Sequence, residues 1–62
     1  MTFDEQQVLL EFIQIGNSVK VSAIDPKTGT EVSITGPASA SEQTLSRNAV
    51  KKLKYVLARG EQ

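Results

Sequence analysis

The chain has 62 residues, with seven Lys and Arg against seven Asp and Glu and with neither cysteine nor histidine. A chain this short makes one domain that buries only about 60% of its unfolded surface. Disulfides, a thiolate nucleophile and the usual ligands of structural zinc are excluded, which leaves carboxylates and neutral oxygens as metal donors, and no cofactor or metal is expected.

The charges are unevenly placed, because residues 1–42 hold two basic and six acidic side chains and residues 43–62 hold five basic and one acidic. Such asymmetry marks either a nucleic-acid or acidic-partner surface or a helix whose lysines and arginines face solvent and favour its C-terminal dipole. No apolar run approaches the roughly 20 residues that cross a bilayer, and Met1 to Gln6 lack the basic residues and apolar core of a signal peptide. The expectation is a bacterial-type cytoplasmic protein with no membrane partner.

Residues 1–6 are polar and expected to fray, although Phe3 is able to dock on the core. Residues 7–15 form the first predicted strand, rich in strand formers, with apolar side chains on both faces: Val8, Leu10 and Phe12 on one, Leu9, Ile13 and Ile15 on the other. Gly16-Asn17 fits a two-residue hairpin loop of the primed type, both residues tolerating positive φ. The second strand, 18–25, alternates Val19, Val21 and Ala23 with Lys20 and Ser22. A four-residue loop, Pro26-Lys27-Thr28-Gly29, leads to the third strand, 30–35, which Gly36-Pro37 is expected to end.

These loops set the register. Ile15 faces Ser18, Phe12 faces Val21 and Leu10 faces Ala23 across the first hairpin. Across the second, Asp25 faces Thr30, Ala23 faces Val32 and Val21 faces Ile34. A slip of one residue in either strand would turn its apolar set to the wrong face. One face then carries Val8, Leu10, Phe12, Val19, Val21, Ala23, Val32 and Ile34, with nothing charged among them. Phe12→Ala is expected to be the most damaging core change.

After residue 36, Ser39 and Glu42 match a capping box, with Ser41 as the competing cap. A helix over about 40–59 places Leu45, Ala49, Val50, Leu53, Val56 and Leu57 in one stripe, which is expected to cover the apolar sheet face, and Gly60 supplies the stop. Residues 60–62 should fray. The fold class is α+β: a three-stranded antiparallel meander in order 1-2-3 with one C-terminal helix on one face, a single domain over 1–62.

Chemistry is sparse along this frame. Glu11, Asp25, Glu31 and Glu42 fall on a sheet face, in a turn or at a helix start, with no pattern that brings two together as acid and base, so an enzyme is not expected. Asp25 reads as the initiator of its own turn. The serine-rich segment before the helix lacks the glycines and lysine of a phosphate loop. Arg47, Lys51, Lys52, Lys54 and Arg59, with Tyr55 between them, fall on the helix side away from the core stripe, where cations track phosphates and a tyrosine stacks on a base.

In topology alone the chain resembles double-stranded-RNA-binding domains and the sheet-reading DNA-binding domains of some plant factors and integrases. The former carry lysines at the start of this helix, where this chain has Ser41-Glu42-Gln43. The latter read DNA with a basic sheet face, where this chain has Lys20 alone among serines, Glu11 and Glu31. Taken whole, EFIQIGNSVKVSAIDPKTGTEVSITGPASAS followed by L-x-x-x-A-x-x-K-L at Leu45 to Leu53 is similar to short single-domain bacterial proteins that form families of unknown function. The likeness runs through residues 8–59, and it implies no catalytic or binding residue.

Two functional expectations follow. The first is a non-enzymatic interaction or structural module for a protein partner not identified by the sequence, self-associating through Leu9, Glu11, Ile13, Ile15 and Ile24. One helix covers one sheet face, so this apolar patch beside an edge strand is left over. A two-fold homodimer, edge to edge or face to face, would cover it; the alternative is a monomer in which Phe3 caps the patch. The second is weak, sequence-tolerant nucleic-acid binding through Arg47, Lys51, Lys52, Lys54, Tyr55 and Arg59, which is not favoured.

Overall fold

The computed structural model describes residues 4–60. Strands β1 (Leu9–Ile15), β2 (Ser18–Ile24) and β3 (Glu31–Pro37) form one antiparallel sheet in the order β1-β2-β3, followed by helix α1 (Glu42–Ala58). The register is the one that turn chemistry and alternation dictate: Leu9 faces Ile24, Phe12 faces Val21 and Ile15 faces Ser18, while Val21 faces Ile34 and Ala23 faces Val32.

Each turn has a local cause. Gly16 has φ 60° and Asn17 keeps a negative φ, so the first loop needs positive φ at its leading residue only, the pattern of a II′ hairpin. Asp25, 6% exposed, organises the second loop: Oδ1 accepts from the Lys27 N–H (3.2 Å) and Oδ2 from the Thr28 hydroxyl (3.1 Å). A carboxylate satisfied by its own loop explains how this acid can be buried.

Several boundaries differ from the sequence reading. Residues 5–7 form a short 3-10 turn capped by Asp4, whose Oδ1 accepts from the Gln6 N–H at 3.0 Å. β3 runs through Gly36 and Pro37, two residues past its expected end, pairing them with Val19 and Ser18. Proline is tolerated there because β3 is an edge strand and that position turns its N–H side outward. The expected Ser39–Glu42 capping box is not formed. Ser41 is the N-cap, its Oγ accepting from the Thr44 N–H at 3.1 Å, so the helix begins at Glu42. At the other end Gly60 takes φ 75° and its N–H bonds the Leu57 carbonyl at 3.1 Å.

The core is thin. Val21, Ala23 and Val32 from the sheet and Leu45, Ala49 and Leu53 from the helix are its buried apolar residues, with Val8, Phe12, Val19, Ile34, Val56 and Leu57 partly buried around them. The helix packs on β2 and β3 and does not spread over the whole apolar face. Its first turn is pressed down at Gly36, where a Cβ would come within 2.5 Å of Leu45 Cδ2. Absence of a side chain at position 36 is what lets the two elements meet.

Candidate interaction surface

Among the described residues most of β1 is left exposed on both sides, Phe12 alone in the strand being half-buried against the core. Leu9, Ile13 and Ile15 are 57%, 42% and 67% exposed on the face away from the helix, and Leu10 is 39% exposed on the helix face. Glu11 sits among the first three, with Lys20 on the neighbouring strand opposite Ile13. Ile24 lies opposite Leu9 but is half-buried, so it borders the patch more than it contributes area. Phe3, the expected cap, lies outside the described residues. Among the described residues, β1 pairs with β2 alone.

The backbone of β1 has an inner and an outer set of groups. A two-residue loop closes on a hydrogen-bonded pair, here Ile15 and Ser18, and such pairs recur at every second residue. Leu9, Glu11, Ile13 and Ile15 therefore turn their N–H and C=O groups to β2. Leu10, Phe12 and Gln14 turn theirs to the open edge. Val8, next in that series, has its N–H on the Glu5 carbonyl at 3.3 Å, which closes the outer series at Leu10.

At the opposite edge the Asp25 N–H donates to the Thr30 carbonyl at 2.9 Å, which fixes Glu31, Ser33, Thr35 and Pro37 as the outward residues of β3. Pro37 has no N–H to offer. The Ser33 carbonyl accepts from Lys52 Nζ at 2.8 Å.

The cations of the helix are divided among different tasks. Lys52 reaches down the β3 flank to Ser33 and does not share the outer face with the others. Lys54 pairs with Glu5 of the N-terminal turn. The Arg59 guanidinium lies 5.2 Å from the centre of the Tyr55 ring. Arg47 and Lys51 line an open groove on the β1 side of the helix together with Glu5, Gln43 and Val50. A stripe that looks continuous on a helical projection is thus engaged at three of its five cations, one acid standing among them.

Among the described residues no three acidic groups converge as they would around a metal ion, and no buried side-chain polar atom lacks a hydrogen-bond partner. Among them, too, no helix is long and apolar enough to cross a membrane. The sequence reading did not find the outward backbone set or the Lys52 contact. The first was available from the two-residue loop, which fixes the parity of the ladder; the second needed the position of the helix.

Fold and surface together define a small open-sheet β-β-β-α domain in which, among the described residues, the β1 edge is largely apolar and exposed. The chain belongs to the family described as domain of unknown function DUF6898, whose model matches residues 5–60. No curated protein and no solved structure matches it.

Proposed function

We propose that this domain is a non-enzymatic interaction module that self-associates through β1. The observation that carries the reading is the exposure of β1 on both faces and along its outer edge, with a single charge, Glu11, and no proline in its length. Long apolar edges of this kind template pairing with another chain, and soluble proteins ordinarily blunt them. A domain with six buried apolar residues among those described, and no cysteine for a disulfide, also gains stability from a second copy. The acids support the non-enzymatic part: Asp25 is committed to its turn and Glu5 to Lys54. The bacterial cytoplasm is the setting this reading assumes.

Sedimentation equilibrium tests it. Wild type is expected to be a dimer at tens of micromolar, and Ile13→Lys a monomer with unchanged circular dichroism. A monomeric wild type removes the reading; a dimer indifferent to the lysine moves the interface elsewhere. Nucleic-acid binding by the helix is the lesser reading, because Lys52, Lys54 and Arg59 already have partners within the chain. A gel shift that weakens steeply with salt and disappears in Lys51→Glu with Lys54→Glu would promote it.

A further inference from the structure

Resting on the reading of β1 as a self-association edge, we infer its geometry: two copies pair β1 with β1 antiparallel about a two-fold axis, with Phe12 opposite Phe12 of the second copy, giving one continuous sheet. Strand addition is favoured over stacking because of what each would cover. Stacking the faces away from the helices would bury Leu9, Ile13 and Ile15 but leave Leu10 and the outward backbone groups bare, and would enclose Lys20, Glu31 and Ser33 with them. Adding a strand places apolar neighbours on both faces of β1 at once and satisfies its backbone.

The register follows from parity, backbone bookkeeping and charge. An antiparallel ladder matches outward residues with outward residues, so the second copy must set Leu10, Phe12 and Gln14 against members of the same set. With Phe12 on the axis, Leu10 faces Gln14 of the second copy and Gln14 faces its Leu10, and every outward N–H finds a carbonyl. Shifting so that Glu11 lies on the axis opposes two carboxylates directly and calls on Val8, whose N–H is already bonded to Glu5. Shifting so that Ile13 lies on the axis sends Leu10 past the strand to Gly16, at the hairpin loop, whose carbonyl takes the Gln14 side chain at 3.1 Å. In the Phe12-centred register Glu11 faces Ile13 of the second copy, in one cross-strand row with that copy's Lys20, so the one acid of the strand is directed to a base.

Because the chain has no cysteine, single cysteines read this register directly. Glu11 and Ile13 of opposite copies would form a non-hydrogen-bonded pair, with Cα atoms about 4.5 Å apart, within disulfide reach. Glu11 and its own equivalent would lie two residues apart along the strand, about 8 Å, beyond that reach. Glu11→Cys and Ile13→Cys are mixed, oxidised and run on a non-reducing gel, with sedimentation of each variant alongside. The expected result is a shift to covalent dimer in the mixture and not in either variant alone. Self-crosslinking of Glu11→Cys or of Ile13→Cys alone overturns the register in favour of an axis at that residue. Sedimenting dimers that never crosslink overturn edge pairing while leaving self-association standing. Monomers in wild type and both variants overturn both.

Discussion

The two edges of this sheet carry the same number of residues and the same hydrogen-bonding geometry, yet they are guarded differently. β3 turns Glu31, Ser33, Thr35 and Pro37 outward; one of these has no N–H, another gives its carbonyl to Lys52, and a third is charged. β1 turns out Leu10, Phe12 and Gln14, and it contains no proline. The helix deepens the contrast because it lies over β2 and β3 and stops short of β1. Edge protection costs side chains that would otherwise pack, so an edge left bare beside a guarded one supports the proposal that β1 is the pairing side.

The comparison is sharpened most by its effect on stability. Leu53 and Val21 are the largest fully buried side chains, and both lie in the guarded half. Leu53→Ala is expected to cost about 2–5 kcal/mol, a large share of what a small domain has, and thermal melting would show it. Phe12→Ala, which the sequence alone ranks first, should cost less at concentrations where the protein is monomeric, because Phe12 is only half-buried. If the two lower the melting temperature equally in dilute solution, β1 is covered better than the structure describes.

Next in size is Gly36→Ala. Its Cβ would meet Leu45, a buried side chain with little room to retreat, so overpacking of about 1–3 kcal/mol is expected by chemical denaturation. A neutral result would mean that the helix start rides higher over β3.

Gln14→Pro transfers to β1 the device that Pro37 supplies on β3. It removes an outward N–H without touching the ladder to β2, so the dimer should be lost while the monomer gives up about 1 kcal/mol, the scale of the Gln14 side-chain bond to Gly16. Ile13→Pro, one residue away and facing β2, should unfold the hairpin instead. Equal behaviour of the two prolines in sedimentation and circular dichroism would reverse the assignment of inner and outer residues.

The smallest effect belongs to Lys52→Ala. Losing its hydrogen bond to Ser33 is expected to cost about 0.5–1.5 kcal/mol, measured by urea denaturation. A second consequence separates it from an ordinary surface change: the β3 edge becomes less guarded, so association should strengthen slightly at high concentration. Stability and association both unchanged would make the lysine incidental.

The register was fully legible because it depends on local facts. A side-chain period of two, a two-residue loop with glycine in the lead, and an aspartate that closes its own turn leave one way to sort Leu10, Phe12, Val21 and Val32 onto a common face. The end of β3 was misjudged because Gly36-Pro37 punctuates most chains. Here one residue sits where the helix presses and the other where an N–H is not needed. The cap shifted from Ser39 to Ser41 for a related reason: both serines fit the local rule, and the bend at residues 38–40, where the Ala40 N–H bonds the Pro37 carbonyl, uses up the first of them.

On the basic helix it is the placement of Lys52 that differs from the expectation. On a helical projection Lys52 lies beside Arg59 and Tyr55, and nothing in the sequence says that a strand edge passes beneath it. The same limit applies to the apolar stripe. It specifies that the helix packs on the sheet, not where across the sheet it lies.

By itself, then, the sequence determined the strands, their order, their pairing and the face that receives the helix, since each is set by residues near one another in the chain. Tertiary structure alone decided which half of that face is covered. A helix about 10 Å wide spans two strands spaced about 4.8 Å apart, not three. The short connection after Pro37 holds α1 beside β3, so it settles over β3 and β2. Most of β1 is left exposed because one helix is too narrow and too closely tethered to cover it, with Phe12 alone in the strand half-buried.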